Sequence, residues 1–402
     1  MDSAQADILA AREHLDARGW IARCSEAFHH LPPPALPDWL ATHDDAPPLD
    51  GPGWTLGQGA SGVQARWLDA HDPAQRAELL TGLPRPGERE GEGEAAPFAW
   101  AHRALCREGL RLHVAAMPQH VPVCLQLHHR PHARAEAPLL VLDLAPGAHC
   151  VLIETHEADI GRPTVAQNLH AHIRLGQGAR LQHLRIAAPQ ADDHMAHHLQ
   201  VQLAAGADYA QALAATGSGY HLQRSHITLQ GAGASARQAA LLLLGSGQID
   251  QQTYTDLHAT QCASQVETLA LAQGWAHAVA NAHTRIAPGS DGASVRQRLT
   301  GVPLAGHPRL ILRPHLEILH DDVQAAHGAT WGALPEDALF YARQRGLDEA
   351  AARALIIEGM AHALLERCLG PCDGLLAEWL QGGWLARAIA QQLQPGEEVH
   401  HG

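Results

Sequence analysis

Leu144-Ala-Pro-Gly147-Ala148 returns as Leu175-Gly-Gln-Gly178-Ala179, again as Leu203-Ala-Ala-Gly206-Ala207, and then as Leu229 followed by Gly231-Ala-Gly233-Ala234. The glycines Gly147, Gly178, Gly206 and Gly233 stand 31, 28 and 27 residues apart. A drifting period of this size, each unit a set of strands plus a small-residue corner, is the pattern of a stacked β-solenoid, where Gly and Ala let the chain turn between sheets. Between the corners run short apolar stretches such as Leu139, Leu140, Val141 and Leu142, or Val151, Leu152 and Ile153. These read as strands of about five residues. A sandwich or barrel also gives short strands with turn signals, but has no reason to repeat a Leu-x-x-Gly-Ala corner. A left-handed hexapeptide solenoid demands a strict six-residue apolar period, which the sequence lacks. The expectation is a mainly β chain with a right-handed parallel β-helix at its core.

On either side of the repeat the texture changes. Residues 2 to 18 carry Ile8, Leu9, Ala11 and Leu15 at helical spacing and stop at Gly19. Proline then dominates 31–40 and 43–54, where no regular helix is expected, and the charged stretch 87–97 reads as a surface segment. After Gly332, Leu339, Phe340 and Ala342 open a helix that ends at Gly346; Ala351, Leu355, Ile356, Met360, Ala363 and Leu364 mark the next, and a last helix runs to Pro395. The expected organisation is a partly helical, Pro-rich module at 1–95, a β-helix core at 96–332 and a helical region at 333–402.

Composition narrows the function classes. The 402 residues carry a formal charge of −14, which argues against a nucleic-acid surface. All 28 basic residues are Arg. A chain without lysine supplies neither a P-loop lysine nor a Schiff-base lysine, so any ATP chemistry belongs to a partner. Seven cysteines, with no C-x-x-C among them, give no disulfide framework, and a reducing cytoplasm is expected. The acid-bearing start is unlike a signal peptide, and no apolar run is long enough to span a bilayer.

The densest polar cluster runs from Arg313 through His315, Glu317, His320, Asp321 and Asp322 to His327 and Thr330. At strand spacing, His315, Glu317 and Leu319 share one face while Pro314, Leu316 and Ile318 share the other. Charges on the last rung of a solenoid can simply solvate its edge; alternatively imidazole and carboxylate converge on a metal. His258 and Cys262, four apart, lie on the same face if they share one strand. His194, His197 and His198 beside Asp192 and Asp193 could bind a surface metal in vitro, but read rather as a solvated loop, and His128, His129 and His132 next to Pro131 as a turn. Cys368-Leu-Gly-Pro-Cys372 straddles a helix break without further nearby cysteines.

The order Pro314-x-Leu316-Glu317-Ile318-x-x-Asp321-Asp322-Val323-x-x-x-His327-Gly328-Ala329-Thr330-x-Gly332, followed by Leu339-Phe340-Tyr341-x-x-x-Arg345-Gly346, closely resembles the signature of the SufB/SufD family of iron-sulfur cluster assembly proteins. Asp250, Thr253, His258, Cys262, Ser264 and Gln265 resemble the family's second stretch, and Gly19 to Leu31 a degraded form of its N-terminal motif. Gly328, where one branch has glutamate, is similar to the SufD-like branch.

The resemblance implies a parallel β-helix between helical ends and a non-enzymatic scaffold role in an ATP-driven SufBCD-type complex. It also implies pairing with a SufB-like paralogue and docking of a SufC-like ABC ATPase on the C-terminal helices. His327 takes the role of a histidine at the subunit seam, able to ligate iron or a nascent cluster, with weaker expectations for His258 and Cys262. Glu317, Asp321, Asp322 and Thr330 join His327 at the seam; Phe340, Tyr341, Arg345, Ile357 and Glu358 lie on the ATPase-docking helices. No tightly bound cofactor is expected in the isolated chain, only transient iron or an iron-sulfur cluster in the complex.

The sequence departs from the family pattern in several places. Ala325 stands where relatives often have cysteine, so a sulfur ligand would come from the partner. Arg313 replaces a usual lysine, and Val266-Glu267-Thr268 replaces a Tyr-Lys-Gly stretch. Two rivals remain: a free-standing iron-binding homodimer, and a β-helix enzyme acting on polysaccharide. The latter wants paired carboxylates, but adjacent Asp321 and Asp322 point to opposite faces of a strand.

Overall fold

The computed structural model describes residues 2–22, 24–40, 53–57, 61–88, 92–118, 121–131, 133–157, 164–371 and 374–393. Cys372 and His132 lie outside these. In chain order the first elements are α1 (Ser3–Arg18), α2 (Leu36–Trp39), β1 (Trp54–Leu56), β2 (Val63–Asp69), α3 (Pro73–Leu80) and α4 (Ala96–Leu105). Then come β3 (Glu108–Val114), β4 (Val123–His129), β5 (Ala135–Glu136), β6 (Leu139–Leu144), β7 (His149–Glu157), β8 (Ala166–Leu175), β9 (Arg180–Ala188), β10 (His194–Leu203) and β11 (Asp208–Thr216). They continue through β12 (Tyr220–Leu229), β13 (Ser235–Leu244), β14 (Gln248–Leu257), β15 (Ala263–Gly274), β16 (His277–Ile286), β17 (Ala293–Gly306), β18 (Arg309–Ile318) and β19 (Val323–Trp331). The chain closes with α5 (Glu336–Gln344), α6 (Glu349–Leu369), α7 (Leu375–Gln381) and α8 (Trp384–Leu393).

From β3 onward, alternate strands stack in parallel into two sheets, so the molecule is mainly β with a parallel solenoid of about seven turns and helices at both ends. Sheet A runs β1-β4-β7-β9-β11-β13-β15-β17-β19; sheet B runs β18-β16-β14-β12-β10-β8-β6-β3-β2. The antiparallel pairs β1 with β4 and β2 with β3 close the N-terminal end of both sheets.

The corner repeat explains the stack. Leu144, Leu175, Leu203, Leu229, Leu257, Ile286 and Ile318 are consecutive register partners in sheet B. Five residues after Leu229, Ala234 is fully buried, as are Ala148, Ala179, Ala207 and Cys262 at the same corner in other rungs. The residue before each sits at positive φ: Gly147, Gly178, Gly206, Gly233 and, as the sole non-glycine with positive φ among the described residues, Gln261 at 57°. Each donates its amide to the corner one rung on, Gly147 to Gln177, Gly178 to Ala205, Gly206 to Ala232, Gly233 to Thr260 and Gln261 to Asp291, at 2.8 to 3.0 Å. The corner thus needs a left-handed residue to aim its N–H along the stack, and a small one to enter the interior.

The strands are nine or ten residues long in most rungs, not five. Both sheets are covered on both faces, so the alternation that marks a half-exposed strand is lost. On the outer face of sheet A, Ile153, Ile186, Leu241, Leu243 and Leu271 pack against Ile357, Leu364, Leu365, Leu385 and Ile389 of the C-terminal helices. On the outer face of sheet B, Leu139, Val141 and Leu222 pack against Phe28, Trp39 and Phe98 of the N-terminal region. Leu36–Trp39 makes one helical turn despite the prolines before it, with Pro37 in the first turn, where no N–H is missed. The last expected helix is two, α7 and α8, broken at Gly382-Gly383 with Gly383 at φ 73°. Among the described residues no helix is long and apolar enough to cross a membrane.

Candidate functional site

β18 and β19 end their sheets and leave the C-terminal mouth of the solenoid open. His327 lies at the middle of β19, register partner of Gln297. Its row runs inward through Gln297, Val266, Gln238, Gln211 and His183 to Leu152. In that row Gln297, only 2% exposed, donates across the interior to Thr284 Oγ1 at 2.8 Å and to His315 O at 3.1 Å. His327 occupies the same row one rung further out, where nothing stacks beyond it, and is exposed. Gly328 beside it has no atom within 4 Å of the position a Cβ would take, so packing within the chain does not demand a glycine there. Ala325 and Val323 pack on the interior core.

The other expected seam residues sit around this mouth without converging. Leu316 packs on the interior core, so Glu317 faces out, its carboxylate 3.8 Å from His283 Nε2 and 3.7 Å from Arg285 Nε. Asp321 and Asp322 are exposed in the turn between β18 and β19, where Asp322 O accepts from Gly292 N at 2.8 Å. His320 pairs instead with Asp291, 3.0 Å away. Thr330 is exposed and pairs with Thr300, on the strand face opposite His327. Three exposed apolar side chains share this end: Ile318, Leu319 and Trp331, the last 58% exposed.

His258 and Cys262 do not share a strand. β14 ends at Leu257 and β15 begins at Ala263, so the two residues bracket a corner, with His258 exposed and Cys262 fully buried. Cys262 fills the corner column held elsewhere by alanine; its thiol lies 3.4 Å from Gly231 O, and burial pushes its pKa up. A buried protonated thiol packed as a small hydrophobe is a poor metal ligand.

On the C-terminal helices, Phe340 and Tyr341 are exposed at 67% and 60%, and Arg345 lies over the Tyr341 ring at 4.9 Å. Glu358 is half-buried, with its carboxylate 3.8 Å from His362. Ile357 is different: at 3% exposure it belongs to the core between α6 and sheet A and offers no surface for docking. Cys368 is also core, its thiol donating to Gln211 O and pushed up to about 12 by burial.

A polar cluster that sequence reasoning missed lies deep inside the solenoid. Glu154, His156, His183, Arg185 and His197 are each 2% exposed or less. Glu154 accepts from His156 Nε2 at 2.5 Å and from His183 Nε2 at 2.8 Å, with Arg185 Nε 3.6 Å away. Burial alone would raise the Glu154 pKa, but Arg185 and the two imidazoles hold it well below the usual carboxylate range. His194, His197 and His198 lie on β10 and His128 and His129 on β4, so the expected loop and turn are strand at these histidines, while Asp192 and Asp193 lie just before β10 and Arg130 and Pro131 just after β4.

A family model described as SUF system FeS cluster assembly, SufBD core domain, matches residues 128–360, more than half of the chain. The chain belongs to the SufBD family. It is 27% identical over 259 residues to the iron-sulfur cluster assembly protein SufD of Escherichia coli, covering 63% of this chain and 58% of that one. It is 26% identical over 203 residues to an iron-sulfur cluster assembly SufBD family protein of Synechocystis, covering 50% and 44%. A third relative, SufD of Plasmodium berghei, is 25% identical over 232 residues, covering 57% of this chain and 17% of its own. The chain thus spans about half the length of the bacterial relatives it matches. The family match ends inside α6 and takes in β18, β19 and α5, so the mouth of the solenoid belongs to the shared SufBD core. Membership supports a SufD-like member of that family.

Proposed function

We propose that this chain is a non-catalytic, SufD-like scaffold subunit of an ATP-driven SufBCD-type complex. It pairs with a SufB-like paralogue at the open mouth of its solenoid and carries a SufC-like ABC ATPase on its C-terminal helices. The observation that carries this reading is His327: a metal-competent imidazole at the centre of an unpaired edge strand, in an interior row left open at the mouth and flanked by Ile318, Leu319 and Trp331. Glu317, Asp321, Asp322 and Thr330 form the rim of that seam. Phe340, Tyr341 and Arg345 supply the exposed surface for the ATPase, with Glu358 beside them. Dimerisation of two ATPase subunits then pulls on these helices and rearranges the seam so that iron and sulfur reach His327. A cluster held there is transient cargo, and the partner's thiolate completes it because this chain has Ala325 where a cysteine would serve.

Co-expression with the SufB-like and SufC-like proteins of the same organism, followed by native mass measurement, tests the reading. A stable complex of all three is expected, and His327→Ala should keep that complex while abolishing cluster assembly. A chain that emerges as a homodimer while its relatives associate without it would favour a free-standing iron-binding dimer, and normal assembly by the His327 variant would remove the role given to that residue.

A further inference from the structure

The interior cluster around Glu154 calls for a reason of its own, because five polar or charged side chains gather there, in rows that elsewhere hold Leu, Ala or Val or the neutral amides of Gln211, Gln223, Gln238 and Gln251. Burying such groups costs several kcal/mol per charge unless each is paired. The pairing here is incomplete: among the described residues, the buried His197 Nε2 has no hydrogen-bond partner, and it lies 3.9 Å from Glu154 Oε1. One donor atom from each of Glu154, His156 and His197 falls within 4.8 Å of the others, a convergence of one carboxylate and two imidazoles in which Glu154 Oε1 is 2.5 Å from His156 Nε2 and 3.9 Å from His197 Nε2. We propose that these three residues bind one divalent first-row transition-metal ion of the zinc or ferrous class inside the solenoid, a site separate from His327 and independent of the subunit pairing proposed above.

Two imidazoles and one carboxylate, with an open position, are a donor set suited to Zn(II) and Fe(II). Ligand bonds of about 2.1 Å place donor atoms roughly 3.4 Å apart in a tetrahedral shell, so the observed 2.5 and 3.9 Å separations need shifts of under about 1 Å, within reach of side-chain rotation. The outer shell is already built. His183 Nε2 donates to Glu154 Oε2, the oxygen left over, and His183 Nδ1 meets Tyr209 Oη at 3.1 Å, which fixes the carboxylate's orientation. The donors come from both sheets, β7 in one and β10 in the other, so the ion would tie the two walls together.

Arg185 is the competitor. Its Nη2 donates to His197 Nδ1, and ligation through Nε2 requires the tautomer that carries a proton on Nδ1, which cannot accept that bond. Gln223 Oε1, 3.1 Å from Arg185 Nη2, gives the guanidinium an acceptor to keep when the ion enters. The Arg185→Gln variant, lacking the buried cation, should therefore bind metal at least about tenfold more tightly than the wild type. This distinguishes a metal site from a polar plug in which the arginine is the intended cation.

The test uses the full chain produced in cobalt-supplemented medium, so that the ion is present as the solenoid closes, and then stripped of surface metal with a chelator. About one Co(II) per chain should survive, with the visible absorption of nitrogen and oxygen coordination. His197→Gln and His156→Gln should retain none while keeping the wild-type circular dichroism spectrum; if one variant fails to fold, the other decides. A wild type free of cobalt after stripping, a His197→Gln protein that keeps as much as the wild type, or an Arg185→Gln protein that binds no better would each overturn the proposal.

Discussion

His221 offers a measurement in which the interior of the solenoid reports on itself. Its Nδ1 donates to Thr216 O at 2.6 Å, and its Nε2 accepts from the Gln223 amide at 2.7 Å. Gln223 cannot turn its amide round to accept a second proton, because its oxygen is already held by Arg185. The imidazole is therefore neutral in a fixed tautomer, and burial pushes its pKa down to about 4. The unfolded chain takes the proton near pH 6.5 and the folded chain only near 4, so the stability His221 supports is complete above 6.5 and is lost as pH falls through that window. Between pH 7 and pH 5 the loss comes to about 2 kcal/mol.

The wild-type curve alone would hide this. Asp250, fully buried and raised to about 7 mainly by burial, has the opposite sign: its carboxylate destabilises the fold at high pH and the penalty fades on acidification. The informative quantity is the difference in denaturant unfolding free energy between wild type and His221→Asn, whose amide keeps the donor to Thr216 but does not titrate. That difference should shrink by about 2 kcal/mol from pH 7 to pH 5. A difference constant to within about 0.5 kcal/mol across the window would show that His221 is protonated in the folded chain, and that the fixed-tautomer argument is wrong.

At the corners, Gly231→Ala would put a Cβ 2.0 Å from Ala205 N and 2.4 Å from its Cα, backbone atoms that cannot move without shifting a rung, so this variant should fail to accumulate as folded protein. Gly328→Ala, with nothing within 4 Å, should keep the wild-type melting temperature. On the C-terminal helices, Phe340→Ala should change stability by less than about 0.5 kcal/mol yet weaken retention of the ATPase in a pull-down, whereas Leu365→Ala, fully buried, should cost about 2–5 kcal/mol.

The corners were legible because their chemistry is local: a positive φ selects glycine and a tight interior selects alanine, and both are visible in single residues. The strands between them were not, because burial on both faces erases period-two patterning. Tyr220–Leu229 is buried throughout, although it contains His221, Gln223, Arg224, Ser225 and His226. Cys262 was misread for want of a register: it stands 28 residues after Ala234, in the corner column itself, and the repeat alone would have assigned it a packing role. The interior cluster carried the same signal. Glu154 stands 31 residues before Arg185, the same spacing as Gly147 to Gly178, which stacks the carboxylate on the guanidinium one rung on.

The two edges at the mouth are not alike, and the difference bears on which of them suits a partner. Unpaired edge strands invite pairing with other chains, and proteins commonly blunt them with charge and proline. β18 carries Arg309, Arg313, Pro314 and Glu317, and the turn after it Asp321 and Asp322. β19 has no charged residue from Val323 to Trp331, no proline, and His327 at its centre. An edge left bare for nine residues is a liability for a monomer and an asset for a subunit that adds a strand from another chain. Under the proposed pairing, sheet A would extend across the seam while the charged rim of sheet B fixes its orientation, and His327 would pass from the exposed mouth of one solenoid into a junction that excludes water. Exclusion of water strengthens metal ligation by a neutral imidazole and keeps an exposed cluster from hydrolysis, which is why the histidine is more use on the bare edge than among the charges of the other.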